Sequence, residues 1–165
     1  MSKIIVYPGS FDPITNGHLN LVERALHIFD HIIIAVARNL SKTPLFTIEE
    51  RVEMIRSALK DNPRVTIESF EGLLVDYVIK KNANVVLRGL RAVSDFEYES
   101  QMTFMNRKLN RQVETIFMMT GFQWFYVNSK IIKEVVFAGG SVEGLVPEMA
   151  HRKLQEKYQE RKGKL

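Results

Sequence analysis

Five short apolar runs, each followed by a stretch with helical spacing, leave few folds open to this chain. Lys3 to Tyr7 reads as a first strand. Between Leu19 and Phe29, the positions Leu21, Val22, Ala25, Leu26 and Phe29 recur at the spacing of one helix face. His31 to Ala37 is too apolar to be half exposed and predicts a strand covered on both faces. Thr47-Ile48-Glu49-Glu50 is a capping box, opening a helix to about Leu59 with Val52, Ile55 and Leu59 inward. Val65 to Ser69 is a third strand, and Leu74, Val75, Val78 and Ile79 mark a third helix. Val85 to Arg88 is a fourth strand. Ser94-Asp95-Phe96-Glu97 repeats the capping signature and opens a long helix through Met102, Met105 and Leu109. Thr115 to Met119 makes the fifth strand. Ser129 to Phe137 is a further helix stopped by Gly139-Gly140, and Pro147 suits the start of a last helix carrying Leu154 and Tyr158.

Alternating strands and helices call for an α/β fold: a Rossmann-like, doubly wound, five-stranded parallel sheet with helices on both faces. No repeat or linker divides the chain, so residues 1–165 read as one domain, with 151–165 a basic C-terminal helix and frayed, solvated tail. In such sheets ligands bind beyond the C-terminal strand ends, where strand order reverses. The polar residues without a core explanation gather at those ends: Ser10 and His18 after strand one, Lys42 after strand two, Arg88 to Arg91 at strand four, Trp124 to Lys130 after strand five.

The turn Pro8-Gly9-Ser10-Phe11-Asp12-Pro13-Ile14-Thr15-Asn16-Gly17-His18 runs from a strand into a helix. It aims free N–H groups and the helix dipole at one place, which suits phosphate. The chain lacks Gly-x-Gly-x-x-Gly, Gly-x-x-x-x-Gly-Lys-Ser/Thr, His-Glu-x-x-His and Gly-x-Ser-x-Gly, which removes the usual dinucleotide, P-loop, zinc-protease and serine-hydrolase readings. There is no cysteine, hence no disulfide, thiolate metal site or thiol nucleophile. The formal charge of +4 sits in the tail, where six basic residues of the last fifteen are interleaved with Glu156 and Glu160; the rest balances. A solvated face explains it better than nucleic-acid binding. No signal peptide or membrane span is apparent, so a cytoplasmic location is expected, without a membrane or nucleic-acid partner.

Thr15-Asn16-Gly17-His18 is the Thr-x-Gly-His form of the nucleotidylyltransferase superfamily signature. Together with Pro8 to His18, Arg88-Gly89-Leu90-Arg91, Asp95-Phe96-Glu97-Tyr98-Glu99 and the Lys42 loop, it resembles the bacterial phosphopantetheine adenylyltransferase family from Lys3 to about Pro147. The resemblance implies reversible adenylyl transfer from ATP to 4′-phosphopantetheine, giving dephospho-coenzyme A and pyrophosphate without a covalent intermediate. It also implies a homohexamer. Coenzyme A, sharing both halves of the site, is expected to inhibit by feedback. The catalytic set would be His18, Lys42 and Ser10. ATP would meet Ser10, Phe11, His18, Gly89, Leu90, Arg91, Glu99 and Trp124, Phe125, Tyr126, Val127, Asn128, Ser129 and Lys130. The acceptor would meet Ser10, Lys42, Leu74 and Arg88, with Asn106 and Glu134 completing its pocket. Glycine at Gly89 would let backbone approach the nucleotide. Mg²⁺ is expected on the ATP phosphates, with no dedicated protein metal site.

The chain departs from the family pattern in three places. Ser10 stands where threonine is frequent, Gln123 where glutamate is, and Asn128-Ser129-Lys130 where a run of serines or threonines precedes the helix. Ser129 is expected to cap that helix. A related transferase acting on nicotinate mononucleotide or glycerol phosphate is the nearest alternative. A non-catalytic nucleotide- or nucleic-acid-binding module is the alternative of another class.

Overall fold

The computed structural model describes residues 2–38, 43–91 and 93–163. Its centre is one parallel sheet of β1 (Ile4–Gly9), β2 (His31–Ala37), β3 (Val65–Phe70), β4 (Val85–Leu90) and β5 (Glu114–Met119), in the order β3-β2-β1-β4-β5. The order reverses between β1 and β4, so ligand space is expected at their carboxyl ends. Register follows the alternating faces. Ile5 pairs with Ile32, Val6 with Ile33 and Tyr7 with Ile34.

The helices are α1 (Asn16–Ala25), α2 (Ile48–Leu59), α3 (Leu74–Lys80), α4 (Val93–Leu109), α5 (Ser129–Phe137) and α6 (Glu148–Lys162). Successive strand side chains serve opposite layers. Ile5, Tyr7, Ile32 and Ile34 join the larger core with Leu21, Met54, Ile132 and Leu154, while Val6, Ile33 and Val86 join Val75 and Val78. Among the described residues, no helix is long and apolar enough to cross a membrane.

Three local expectations need correction. Ser94 lies inside α4, which begins at Val93, so it is not the N-cap; the Asp95 carboxylate instead accepts the Arg91 N–H at 3.2 Å, just before the helix. Asn128, not Ser129, caps α5: its Oδ1 accepts the Ile131 N–H at 2.9 Å, while the Ser129 hydroxyl donates to the Pro13 carbonyl. The basic C-terminal segment is no frayed tail up to Lys162. Leu154 is fully buried, and Lys153 and Lys157 pair with Glu53 and Glu50 of α2. Those α2 carboxylates absorb charge that the sequence alone assigns to solvent.

Candidate active site

A cavity of about 350 Å³ opens where the strand order reverses. Its walls are Tyr7, Pro8 and Gly9 of β1, Ser10 and Phe11 of the turn, Thr15, Gly17 and His18 at the start of α1, and Arg88, Gly89 and Arg91 at the end of β4. Glu99 of α4, Thr120 and Val127 to Lys130 close it. Three strand ends and two helix N-termini converge on one space.

The signature histidine owes its state to the chain that carries it. Thr15, in extended backbone, is the N-cap of α1: its hydroxyl accepts the His18 N–H at 3.4 Å, and His18 Nδ1 accepts the Thr15 N–H at 3.0 Å. Thr-x-Gly-His is therefore a capping box in which imidazole takes the part usually played by glutamate. A ring nitrogen that accepts an N–H carries no proton, so the neutral ring holds its proton on Nε2 and can donate from there. The Thr15 hydroxyl, 2.9 Å from Nδ1, can donate to the same bare nitrogen. Burial, and then the positive charge of Arg91, lower the His18 pKa to about 4. The ring still keeps an edge on the cavity, as a neutral hydrogen-bond donor at pH 7.

The turn before it is braced by side chains. Phe11 adopts a left-handed φ of 47°, uncommon without glycine. Its ring is buried, edge-on to Tyr7 at 5.3 Å and to His18 at 5.2 Å between centroids. A Cβ on Gly9 would come within 2.9 Å of that ring, so the glycine serves the aromatic packing. Asp12, also buried, accepts the N–H groups of Leu45 and Phe46 at 3.1 and 2.9 Å and pairs with Lys133 of α5 at 2.5 Å.

Arg88 and Glu99 form a two-pronged pair at 2.6 and 2.5 Å, and Arg88 also donates to the Pro8 carbonyl. The pair stands between the main cavity and a smaller one of about 90 Å³ lined by Leu74, Tyr98, Met102, Thr103, Asn106 and Thr115. The two residues assigned above to different substrates thus hold each other at the boundary of two spaces. Gly89 has a packing reason distinct from the one expected: a Cβ there would lie 2.4 Å from Leu21 Cδ1, so glycine lets α1 close on β4. Arg91 is held by Asp95 at 3.2 Å, while Leu90 is buried away from the cavity wall.

Val127, Asn128, Ser129 and Lys130 reach the main cavity. Trp124, Phe125 and Tyr126 do not line it; Trp124 packs on the core, and the other two are exposed. Glu134 faces Lys130 along α5 and lines neither cavity. Lys42 lies outside the described residues. Sequence reasoning missed Tyr7 and Thr120 as wall residues, and Asp12, Arg51 and Lys133 as braces. Thr120 carries a buried hydroxyl without a hydrogen-bond partner among the described residues. The acid inside the signature turn was the available signal for Asp12; nothing local marked its partners.

The cytidylyltransferase-like family profile matches residues 6–135. A phosphopantetheine adenylyltransferase from Syntrophus aciditrophicus is 60% identical over 158 residues, covering 96% of both chains. Enzymes of the same name from Geobacter sulfurreducens and Carboxydothermus hydrogenoformans are 54% and 55% identical, over 95% of this chain and 96% and 97% of theirs. The crystal structure of a provisionally named nicotinate-nucleotide adenylyltransferase from Vibrio parahaemolyticus superposes with a TM-score of 0.70 at 17% identity, over 96% of this chain and 95% of that one. That likeness speaks for the fold alone. A neutral histidine fixed by its own helix cap, at the switch point of a parallel sheet, thus sits within sequence similarity spanning nearly the whole chain, and the chain belongs to the phosphopantetheine adenylyltransferase family of nucleotidyltransferases.

Proposed function

We propose that the chain joins ATP to 4′-phosphopantetheine, forming dephospho-coenzyme A and releasing pyrophosphate. The observation that carries this reading is the paired cavities divided by Arg88, one walled by the signature turn and His18, the other by Leu74 and Asn106. An oxygen of the acceptor phosphate attacks the α-phosphorus of ATP, and the bond from that phosphorus to the bridging oxygen breaks. Both reactants are anions, so the protein's work is positioning and charge stabilisation. His18 Nε2–H donates to the α-phosphate as charge moves toward the leaving pyrophosphate. Ser10 and the adjoining N–H groups hold phosphate oxygens. Arg88 turns its guanidinium fork from Glu99 to the acceptor phosphate, a planar match. Glu99, so released, faces the nucleotide. Arg91 and the start of α5 flank the polyphosphate, and Lys42 bridges acceptor and reacting centre.

Among the described residues, Glu99 is the one carboxylate on the main cavity wall, and Arg88 holds it. Mg²⁺ therefore fits on the ATP phosphates and water, where it would offset their charge. The setting we infer is the cytoplasm. The exposed side chains Tyr98, Met102, Phe104, Met105 and Leu109 of α4, with Met119 at the end of β5 and Phe122 beyond it, support assembly into a homohexamer. Coenzyme A, which shares the pantetheine and adenylate halves of the product, is expected to compete for the same site.

Pyrophosphate release with ATP or CTP across a panel of phosphorylated acceptors tests the reaction. Turnover with nicotinate mononucleotide but not with 4′-phosphopantetheine would overturn it. His18→Ala should lower turnover by ~10²–10³, the usual cost of one preorganised donor. Phe104→Glu should shift the protein to smaller species in sedimentation; unchanged size would remove α4 from the interface.

A further inference from the structure

Arg51 is the one buried cation of the described residues that lines neither substrate cavity. It lies in the first turns of α2 and is 4% exposed. Its Nη1 donates to the Ser10 carbonyl at 2.8 Å and, at 3.4 Å, to the carbonyl of Ala37 at the end of β2; its Nε donates to the Thr47 carbonyl at 3.2 Å. Burying a guanidinium is costly, and packing alone would be served by an apolar side chain of similar length. Asp12 and Glu49 offset part of that cost through their negative charge.

The geometry of one peptide plane gives the charge a purpose. The Ser10–Phe11 bond is trans, so the Ser10 C=O and the Phe11 N–H point in opposite directions. With the carbonyl drawn to Arg51, the Phe11 N–H is turned to the side away from that guanidinium, and Ser10, Phe11 and His18 all line the main cavity. Among the described residues, no carbonyl or side chain accepts that N–H. Rotating this single peptide, as between type II and type I turns, would relieve the left-handed φ of Phe11. It would also present a carbonyl oxygen to an incoming phosphate. Something must hold the costlier orientation, and Arg51 is bonded to the atom that would move.

We infer that Arg51 is a positioning residue: its buried guanidinium fixes the Ser10–Phe11 peptide so that the Phe11 N–H receives a phosphate oxygen. The inference rests on the phosphate-binding reading of the cavity and adds a residue that touches no substrate.

The test is a pyrophosphate titration of ¹⁵N-labelled protein, following the Phe11 amide, in wild type, Arg51→Lys and Arg51→Met. In wild type the Phe11 amide should move downfield as pyrophosphate binds. In both variants its response should shrink, and pyrophosphate affinity should fall about tenfold or more, as expected for losing a hydrogen bond to a charged group. Turnover should fall, and KM for ATP should rise more than KM for 4′-phosphopantetheine, because the cavity lined by Leu74 and Asn106 lies beyond the reach of Arg51 and Ser10. A folded variant that binds pyrophosphate like wild type, with the same Phe11 response, overturns the inference. If both variants fail to fold, wild type alone decides: binding with a silent Phe11 amide overturns the inference and leaves the functional reading standing. No binding of pyrophosphate at all overturns the functional reading and this inference with it.

Discussion

His18 should stay uncharged in the folded protein well into the acid range, and this can be measured apart from catalysis. The unfolded chain protonates the ring near pH 6.5, the folded chain near 4, because burial first and Arg91 second disfavour the cation. Between those values the unfolded state binds more protons, so the free energy of unfolding rises with pH. The contribution is complete above about pH 6.5 and is lost as pH falls toward 4. A difference of about 2.5 units at about 1.36 kcal/mol each gives roughly 3 kcal/mol, an upper bound because one ring edge meets solvent. The capping box adds a geometric reason. A proton on Nδ1 would face the Thr15 N–H that now donates to it, 3.0 Å away.

The assay pairs ring-proton NMR with urea denaturation. His18→Gln identifies the resonance that belongs to His18, and its midpoint in wild type should lie near 4. Wild type should lose more stability than His18→Gln between about pH 7 and about pH 4.5, by a few kcal/mol at most. The ¹⁵N shifts of the ring should show Nε2 protonated and Nδ1 bare at neutral pH. A midpoint near 6.5, or a proton resident on Nδ1, would refute both the desolvation argument and the neutral-donor mechanism.

Gly89→Ala should cost about 1–3 kcal/mol by overpacking, since its Cβ would meet Leu21 Cδ1 at 2.4 Å. Adding Leu21→Ala should recover part of that cost, and a strictly additive double mutant would place the clash elsewhere. Asn128→Ala should remove the α5 cap for about 1 kcal/mol in urea denaturation; no loss would mean that Ser129 caps the helix after all. Glu99→Gln should cost about 1.5–3 kcal/mol by weakening charged hydrogen bonds to Arg88. It should also raise KM for ATP if Glu99 serves the nucleotide; unchanged stability and KM together would refute both roles of the pair.

Much of the fold was legible because its signals are local. The second strand and the α2 and α5 helices have the limits that the sequence predicts, since an unbroken apolar run, helical spacing, the Thr47 capping box and the Gly139-Gly140 stop all act within a few positions. The first strand was read short, to Tyr7, because Pro8 and Gly9 look like breakers, yet both continue the ladder with Ala35 and Val36. A parallel strand near a switch point can end in residues that suit a turn, because its last backbone groups already face the ligand space. The two cap corrections have another source. Asn128 and Ser129 are equally good caps by type, and the choice was made by the Pro13 carbonyl, which draws the Ser129 hydroxyl across 116 positions of sequence.

The site divides along the same line. Residues that face a ligand come in strings, because one strand end or helix start presents several neighbours at once; Ser10 to His18 and Arg88 to Arg91 were found that way. Residues that hold those strings in shape come singly, from elements packed behind them. Lys133 reaches Asp12 from α5, and Arg51 reaches Ser10 from α2. In sequence each is an ordinary charge on an amphipathic helix, indistinguishable from Lys130 or Arg56. Only burial separates them, and burial is set by the packing of α2 and α5 on the turn. Thr-x-Gly-His escaped this limit because its brace is local: the cap that orients the imidazole lies three residues away on the same helix. A motif is readable from sequence to the extent that it carries its own supports.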